Sequence, residues 1–295
     1  MDEVGVVPDG PRGLSQMERV VNTFVAPTET FKDILRSSSW WLPFVLMAAA
    51  ALCLTVAIQH QVGWRQVVET QIQMSPALQS QLASLTPAQQ AMQMHWMVLG
   101  YQISSYAYPL LVLAGSALAA LLLWVTFNFG LGARAKYGQI LCLWMYCSLP
   151  HLLAALIAVL RLCFGGSAES FDLKYPAGTS LGYYFTDVSP WLRALLGSFD
   201  VFGIWALVLL VMGGAIVAKV KWGQAAAVVV GWWLLIVLVS VAATAAFSQA
   251  ETTVAGFAPA TKTLSFCRTR SSMERRRLFR PAAEDERAVG AAEAE

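Results

Sequence analysis

The sequence predicts an all-α, polytopic membrane helix bundle of five transmembrane helices, and three observations predict it. Hydrophobic residues make up 57% of the chain and charged residues 13%, against roughly 45–50% and about 25% in an average soluble domain. The excess sits in long uncharged blocks, and a bilayer core about 30 Å thick needs roughly 20 such residues in a helix. The blocks are apolar on every face and do not alternate, which argues against both amphipathic surface helices and barrel strands. A backbone crossing lipid must satisfy its own hydrogen bonds, so the blocks read as helices.

The first block covers 40–59, with Ala48 to Ala51 at its centre. The second is uncharged from Met97 and strongest over 107–129, where Pro109 marks a kink or the end of an interfacial lead-in. The third covers 139–160 and contains Pro150 and His151, the fourth 201–218, and the fifth 224–247. Residues 1–23 precede this domain as a cytoplasmic segment. Residues 248–295, rich in Ala, Glu and Arg with few apolar residues, read as a disordered tail.

Two connections are long. In the first, Ser75-Pro76 and Thr86-Pro87 each pair a capping residue with a proline at the first helical position, and Thr86 with Gln89 fits a capping box. Two short Gln-rich helices outside the bilayer are expected there. The second, from Cys163 to about Ser189, is rich in Gly, Ser, Tyr and Asp and reads as irregular. Ser189-Pro190 is a further helix start, from which the fourth helix can begin before it enters the membrane. Before the first span, Pro27 opens a short amphipathic helix whose Phe31, Ile34 and Leu35 face the bilayer surface or the bundle.

The short connections carry Arg134, Lys136, Lys219 and Lys221 and no acid. Short basic loops stay cytoplasmic, which places the N-terminus inside and both long connections outside. The first apolar block starts only at Trp40, so no cleavable signal peptide is apparent and the first span serves as an uncleaved insertion signal.

Motifs for chemistry are absent. The chain has no GxxxxGK[ST], no HExxH and no GxSxG. His60, His95 and His151 are scattered without metal-ligand spacing. The five cysteines form no CxxC and no disulfide framework, and read as small apolar residues. No interleaved basic and aromatic surface points to nucleic acid. Neither a catalytic residue, a cofactor nor a metal is expected.

Ionisable groups at membrane depth are costly and often functional. His151 lies about 18 Å along the third helix from Gln139, near mid-bilayer. Asp200 opens the fourth span, and Arg161 closes the third. The three form a candidate intramembrane polar contact in which Asp200 joins the two helices through Arg161 or His151. Gly115 with Ala119, and the Gly213-Gly214 pair, suit close helix packing. Trp232 and Trp233 fall inside the fifth span and are expected to pack on other helices.

Three stretches, in order, resemble the Yip domain family of Ypt-interacting membrane proteins. They are Phe24-Val25-Ala26-Pro27-Thr28-Glu29-Thr30-Phe31 closing with Trp40-Trp41-Leu42-Pro43, the Ser148-Leu149-Pro150 step, and Asp200-Val201-Phe202-Gly203-Ile204-Trp205. The resemblance covers Phe24 to Phe247 and implies a five-span domain with a cytoplasmic N-terminus and no catalytic residues. The chain looks like the bacterial branch. Eukaryotic members bind small GTPases in vesicle traffic, but the Asp-Leu-Tyr-Gly-Pro signature is missing here, which puts small-GTPase binding in doubt. The resulting expectation is a non-enzymatic scaffold or adaptor in a bacterial inner membrane, working with the bilayer and with other membrane proteins or a second copy. The alternative is a small-solute channel or transporter with a polar path near Asp200 and His151.

Overall fold

The computed structural model describes residues 13–164, 173, 175–185 and 188–256. Residues 1–246 form one compact unit; the second unit, 247–295, is described as far as Gly256. Every regular element among the described residues is helical, apart from one isolated antiparallel bridge between Ser180 and Asp200.

Two helices, α1 (Gln16–Val25) and α2 (Pro27–Arg36), open the chain as a hairpin. Ser15 and Glu18 cap α1 reciprocally, and Pro27 sits at the first position of α2, where its missing N–H loses nothing. Phe31 and Ile34 are fully buried, so of the two surfaces expected for this face the bundle is the one it takes. Next come α3 (Trp41–Gln61), α4 (Trp64–Gln73) and α5 (Pro76–Ala83), then α6 (Pro87–Val125), which runs on through a π-helical turn, Thr126–Gly130. The Thr86–Gln89 capping box is formed, but the helix it starts is not short. It continues through Pro109 into the second apolar block, because the intervening residues contain no breaker strong enough to stop a helix already propagating.

The third block is broken in two, α7 (Tyr137–Cys147) and α8 (Pro150–Phe164). Pro150 has no N–H to donate, and Ser148 turns its hydroxyl back onto the Trp144 carbonyl at 2.8 Å. After a short α9 (Leu181–Tyr184), α10 (Pro190–Gly197) starts at Ser189-Pro190 as expected, yet it ends before α11 (Val201–Val217). The helix of the fourth block therefore does not begin at Pro190 but at Val201. The last helix among the described residues is α12 (Trp222–Gly256). The remainder of the expected disordered tail, 257–295, lies outside the described residues.

Among the described residues, four helices are long and apolar enough to cross a membrane: Trp41–Gln61, Pro87–Gly130, Tyr137–Phe164 and Trp222–Ala246. The fourth expected span is the shorter apolar helix Val201–Val217.

The core is built around α7, against which α1, α2, α3, α6 and α11 all pack. Ile140, Leu143, Met145 and Tyr146 on α7 are completely buried. Gly213 permits that density: a Cβ there would fall against Leu143 and 3.2 Å from the Phe31 ring. Asn128 and Trp124 fasten the short connection before α7 through Ala135, whose carbonyl accepts from both side chains at 3.0 and 2.9 Å. Trp232 donates to Thr126 at 3.0 Å and the Trp233 ring meets Phe199 edge-on at 5.7 Å, so both tryptophans pack on other segments. Cys142 and Cys147 are buried as expected, whereas Cys53 and Cys163 are exposed; Cys267 lies outside the described residues.

Candidate functional site

Small residues leave a cavity of about 890 Å³ where α3, α6 and α8 face one another. Ala48, Ala50 and Ala51 line it from α3, Gly115 and Ser116 from α6, and Ala154 and Ala155 from α8. A Cβ on Gly115 would meet no atom within 4 Å. The close packing expected at Gly115 is therefore not made: the missing side chain leaves space instead of admitting a neighbour.

One end of this cavity is polar. Its wall there is the extended segment Gly178, Thr179 and Ser180, joined to Asp200 by the isolated bridge. Gly178 has φ +67°, a conformation that side chains with a Cβ rarely adopt, and the Arg161 guanidinium lies against the place a Cβ would fill. Asp200 is the N-cap of α11: its carboxylate accepts the Gly203 N–H at 3.0 Å, while the Thr179 hydroxyl donates to its other oxygen at 2.5 Å. The Ser180 side chain is 4% exposed, and its hydroxyl has no hydrogen-bond partner among the described residues.

The structure does not join the three residues singled out from the sequence: His151 and Arg161 lie ten residues apart on α8, about 15 Å along its axis. Asp200 and His151 both line the cavity. Arg161 donates to the Tyr183 hydroxyl at 2.8 Å and to the Pro176 carbonyl at 3.4 Å, and its guanidinium stands over the Tyr183 ring, 5.1 Å from the centroid. His151 Nδ1 lies 3.2 Å from the Ser148 carbonyl of its own chain segment, not on a neighbouring helix. No ion pair joins Asp200 to Arg161 or His151 among the described residues. The loop supplies the link that was expected of the helices: Thr179 holds Asp200, and Pro176 and Tyr183 hold Arg161. Thr179 and Ser180 carry no signal in the sequence, since an isolated bridge has neither periodicity nor motif.

A second polar cluster, also missed, lies under the N-terminal hairpin. Arg19 is 1% exposed. Its Nε donates to Asp33 at 2.6 Å and its Nη1 to the Ser37 carbonyl at 2.8 Å. Thr23 and Thr30 both donate their hydroxyls to the Arg19 carbonyl. Exposed Arg36 completes the set, donating to the second Asp33 oxygen at 2.9 Å. Burial pushes the Asp33 carboxyl up, but the hydrogen bonds from Arg36 and Arg19 outweigh it and the group is held below its ordinary value. The sequence signal was present but faint: on an otherwise amphipathic α1, Arg19 falls on the same face as Val20 and Thr23.

Among the described residues, no three His, Cys, Asp or Glu side chains are grouped to hold a metal ion. What the cavity offers is space with mainly apolar walls, and a carboxylate, hydroxyls and an imidazole among its lining groups. A family model described as the Yip1 domain matches residues 21–244. No curated protein and no solved structure matches the chain.

Proposed function

From the premise that this chain belongs to the Yip1 domain family, we propose that it is a non-enzymatic membrane scaffold or adaptor. The observation that carries the reading is the extent of the match, 21–244, which takes in α2 to α11 and the apolar part of α12. The family is one of non-enzymatic membrane proteins associated with membrane trafficking. The polar groups support the same reading, because they hold structure together: Asp200 caps a helix, Arg161 braces a loop, and Arg19 with Asp33 seats a hairpin.

The proposal extends to placement. The protein sits in a bacterial inner membrane with its N-terminus in the cytoplasm and crosses five times, with α11 as the fourth crossing. Val201–Val217 spans about 26 Å, a few ångströms short of the hydrocarbon core, and local thinning of the bilayer absorbs such a mismatch at small cost. The transport reading gains no support from the cavity, whose walls are chiefly apolar side chains of α3, α6 and α8.

The test is cross-linking in native membranes followed by purification of the tagged full chain. The scaffold reading expects a defined membrane-protein partner or a second copy, recovered equally with wild type and with Asp200→Asn. Recovery of no partner, together with a solute flux in proteoliposomes that Asp200→Asn and His151→Ala abolish, would replace it with the transport reading.

A further inference from the structure

The cavity between α3, α6 and α8 has three properties that together describe an occupant. Its volume, about 890 Å³, is that of a site for a sizeable small molecule, a class that runs to about 1,000 Å³. Its long walls are apolar, with Met47, Leu54 and Val112 among them. Those walls continue onto the outer face of the bundle, because Tyr108 and Leu111 line the cavity and are 53% and 59% exposed. A soluble solute gains nothing from such walls, whereas a lipid chain can lie along them and leave into the bilayer.

The polar end selects the headgroup. The Asp200 carboxylate is the one acidic or basic group other than His151 on the wall. A carboxylate has about four acceptor positions, and two of those on Asp200 are taken, by Thr179 and Gly203. The Ser180 hydroxyl, nearly sealed from solvent, has nothing to bond among the described residues. An unmade bond of this kind is unfavourable in the fold, and a donor arriving from the cavity relieves it. Carboxylate and hydroxyl together call for a cation with N–H groups. Arg161 does not line the cavity itself, but its guanidinium lies against the lining residue Gly178 and has no acidic partner among the described residues, so its positive charge favours an anionic group at this end.

We propose that this cavity is a site for one bilayer phospholipid with a primary ammonium headgroup. The ammonium rests on Asp200 and Ser180, the phosphate faces Arg161, and an acyl chain follows the channel left by Gly115 and the facing alanines out past Tyr108 and Leu111. The site is independent of the scaffold reading: it neither needs a protein partner nor excludes one.

The experiment uses the full chain in phosphatidylcholine nanodiscs doped with phosphatidylethanolamine bearing a photoreactive acyl chain. Cross-links are mapped by peptide mass spectrometry. The expected result is labelling concentrated on the α3 and α6 segments around Leu54 and Val112. Unlabelled phosphatidylethanolamine should compete with it, and phosphatidylcholine, whose quaternary ammonium has no N–H, should not. A Cβ on Gly115 meets no atom within 4 Å, so Gly115→Phe directs a ring into open space and should abolish the concentrated labelling, with thermal stability measured beside it and expected to stay near wild type. Asp200→Asn keeps the helix cap but removes the charge, and should weaken competition by about tenfold, the scale of a hydrogen bond to a charged group. Labelling spread evenly over the lipid-facing helices, or equal competition by phosphatidylcholine, would overturn the proposal. So would wild-type labelling by Gly115→Phe.

Discussion

Removing Asp33 while keeping Arg19 should undock the N-terminal hairpin. Arg19 is 1% exposed and its guanidinium is satisfied by the Asp33 carboxylate at 2.6 Å and the Ser37 carbonyl at 2.8 Å. In Asp33→Ala that cation stays buried without an anion opposite it. Breaking a buried pair from one side costs about 3–5 kcal/mol, and at 1.4 kcal/mol per factor of ten this raises the open population by roughly two to three orders of magnitude. Cys142 reports the opening, since it is fully buried and its thiol donates to the Ser39 carbonyl at 3.4 Å, just beyond α2. With every other cysteine replaced by serine, thiol labelling of Cys142 at neutral pH should accelerate by that factor in Asp33→Ala. The double variant Arg19→Met with Asp33→Leu, which removes both charges and keeps their volume, should label within a few-fold of wild type. Equal acceleration in the single and double variants would refute the reasoning, because it would mean that volume and not charge pairing seats the hairpin.

Three further outcomes follow from the same contacts. Gly213→Ala puts a methyl against Leu143 and Phe31, so thermal denaturation in detergent should show a loss of about 1–3 kcal/mol, the usual cost of overpacking; unchanged stability would mean that the core around α7 is looser than described. Asp200→Leu removes the α11 cap and should lower stability by about 1 kcal/mol, while Asp200→Asn stays near wild type; equal losses would show that the charge, not the cap, is what stabilises. The Asp33 carboxyl is held below its ordinary value, so its contribution is complete above the unfolded value of about 3.9 and disappears as pH falls through the lower folded value. Hydrogen exchange over residues 16–36, corrected for intrinsic rates, should therefore quicken only below about pH 4, and quickening at neutral pH would point to a different group.

The fold was legible where a residue's neighbours in sequence decide its state. Uncharged blocks of span length gave α3, the apolar part of α6, α11 and α12, because burial in lipid depends on local composition alone. Capping residues with prolines located the starts of α5, α6 and α10 for the same reason. The third block is one candidate span, Tyr137–Phe164, as its composition indicates, but its helix is interrupted at the Ser148-Leu149-Pro150 step: Pro150 marks a break, and packing decides how the axis restarts. The α4 helix went unread because only Trp64, Val67 and Val68 mark its buried face, too few for a periodic signal. The Yip resemblance pointed to the family through stretches that proved to be structural joints, namely the hairpin, the α7–α8 break and the α11 cap. The candidate site was legible only in part. Asp200, His151 and Arg161 stood out because charge in a span is conspicuous; Asp200 and His151 line one cavity, and Arg161 lies against its Gly178. The partners of Asp200 and Arg161 are Thr179, Pro176 and, on the short α9, Tyr183, in a connection whose course no local pattern fixes. Gly115 shows the same limit: a small residue signals either a close approach or a void, and only the position of the facing helix decides which.

The account stands or falls on α11, whose 17 residues must carry the chain across the membrane. The direct measurement is single-cysteine labelling with an impermeant reagent, in a cysteine-free background. Gln81 and Tyr184 report the long connections, and Arg134 and Lys221 the short ones. Tyr184 suits this role because it is 71% exposed. Five crossings with a cytoplasmic N-terminus predict labelling of positions 81 and 184 in intact cells, and of 134 and 221 only after lysis. Labelling of 184 and 221 under the same condition would place both ends of α11 on one side of the membrane and contradict the five-span arrangement.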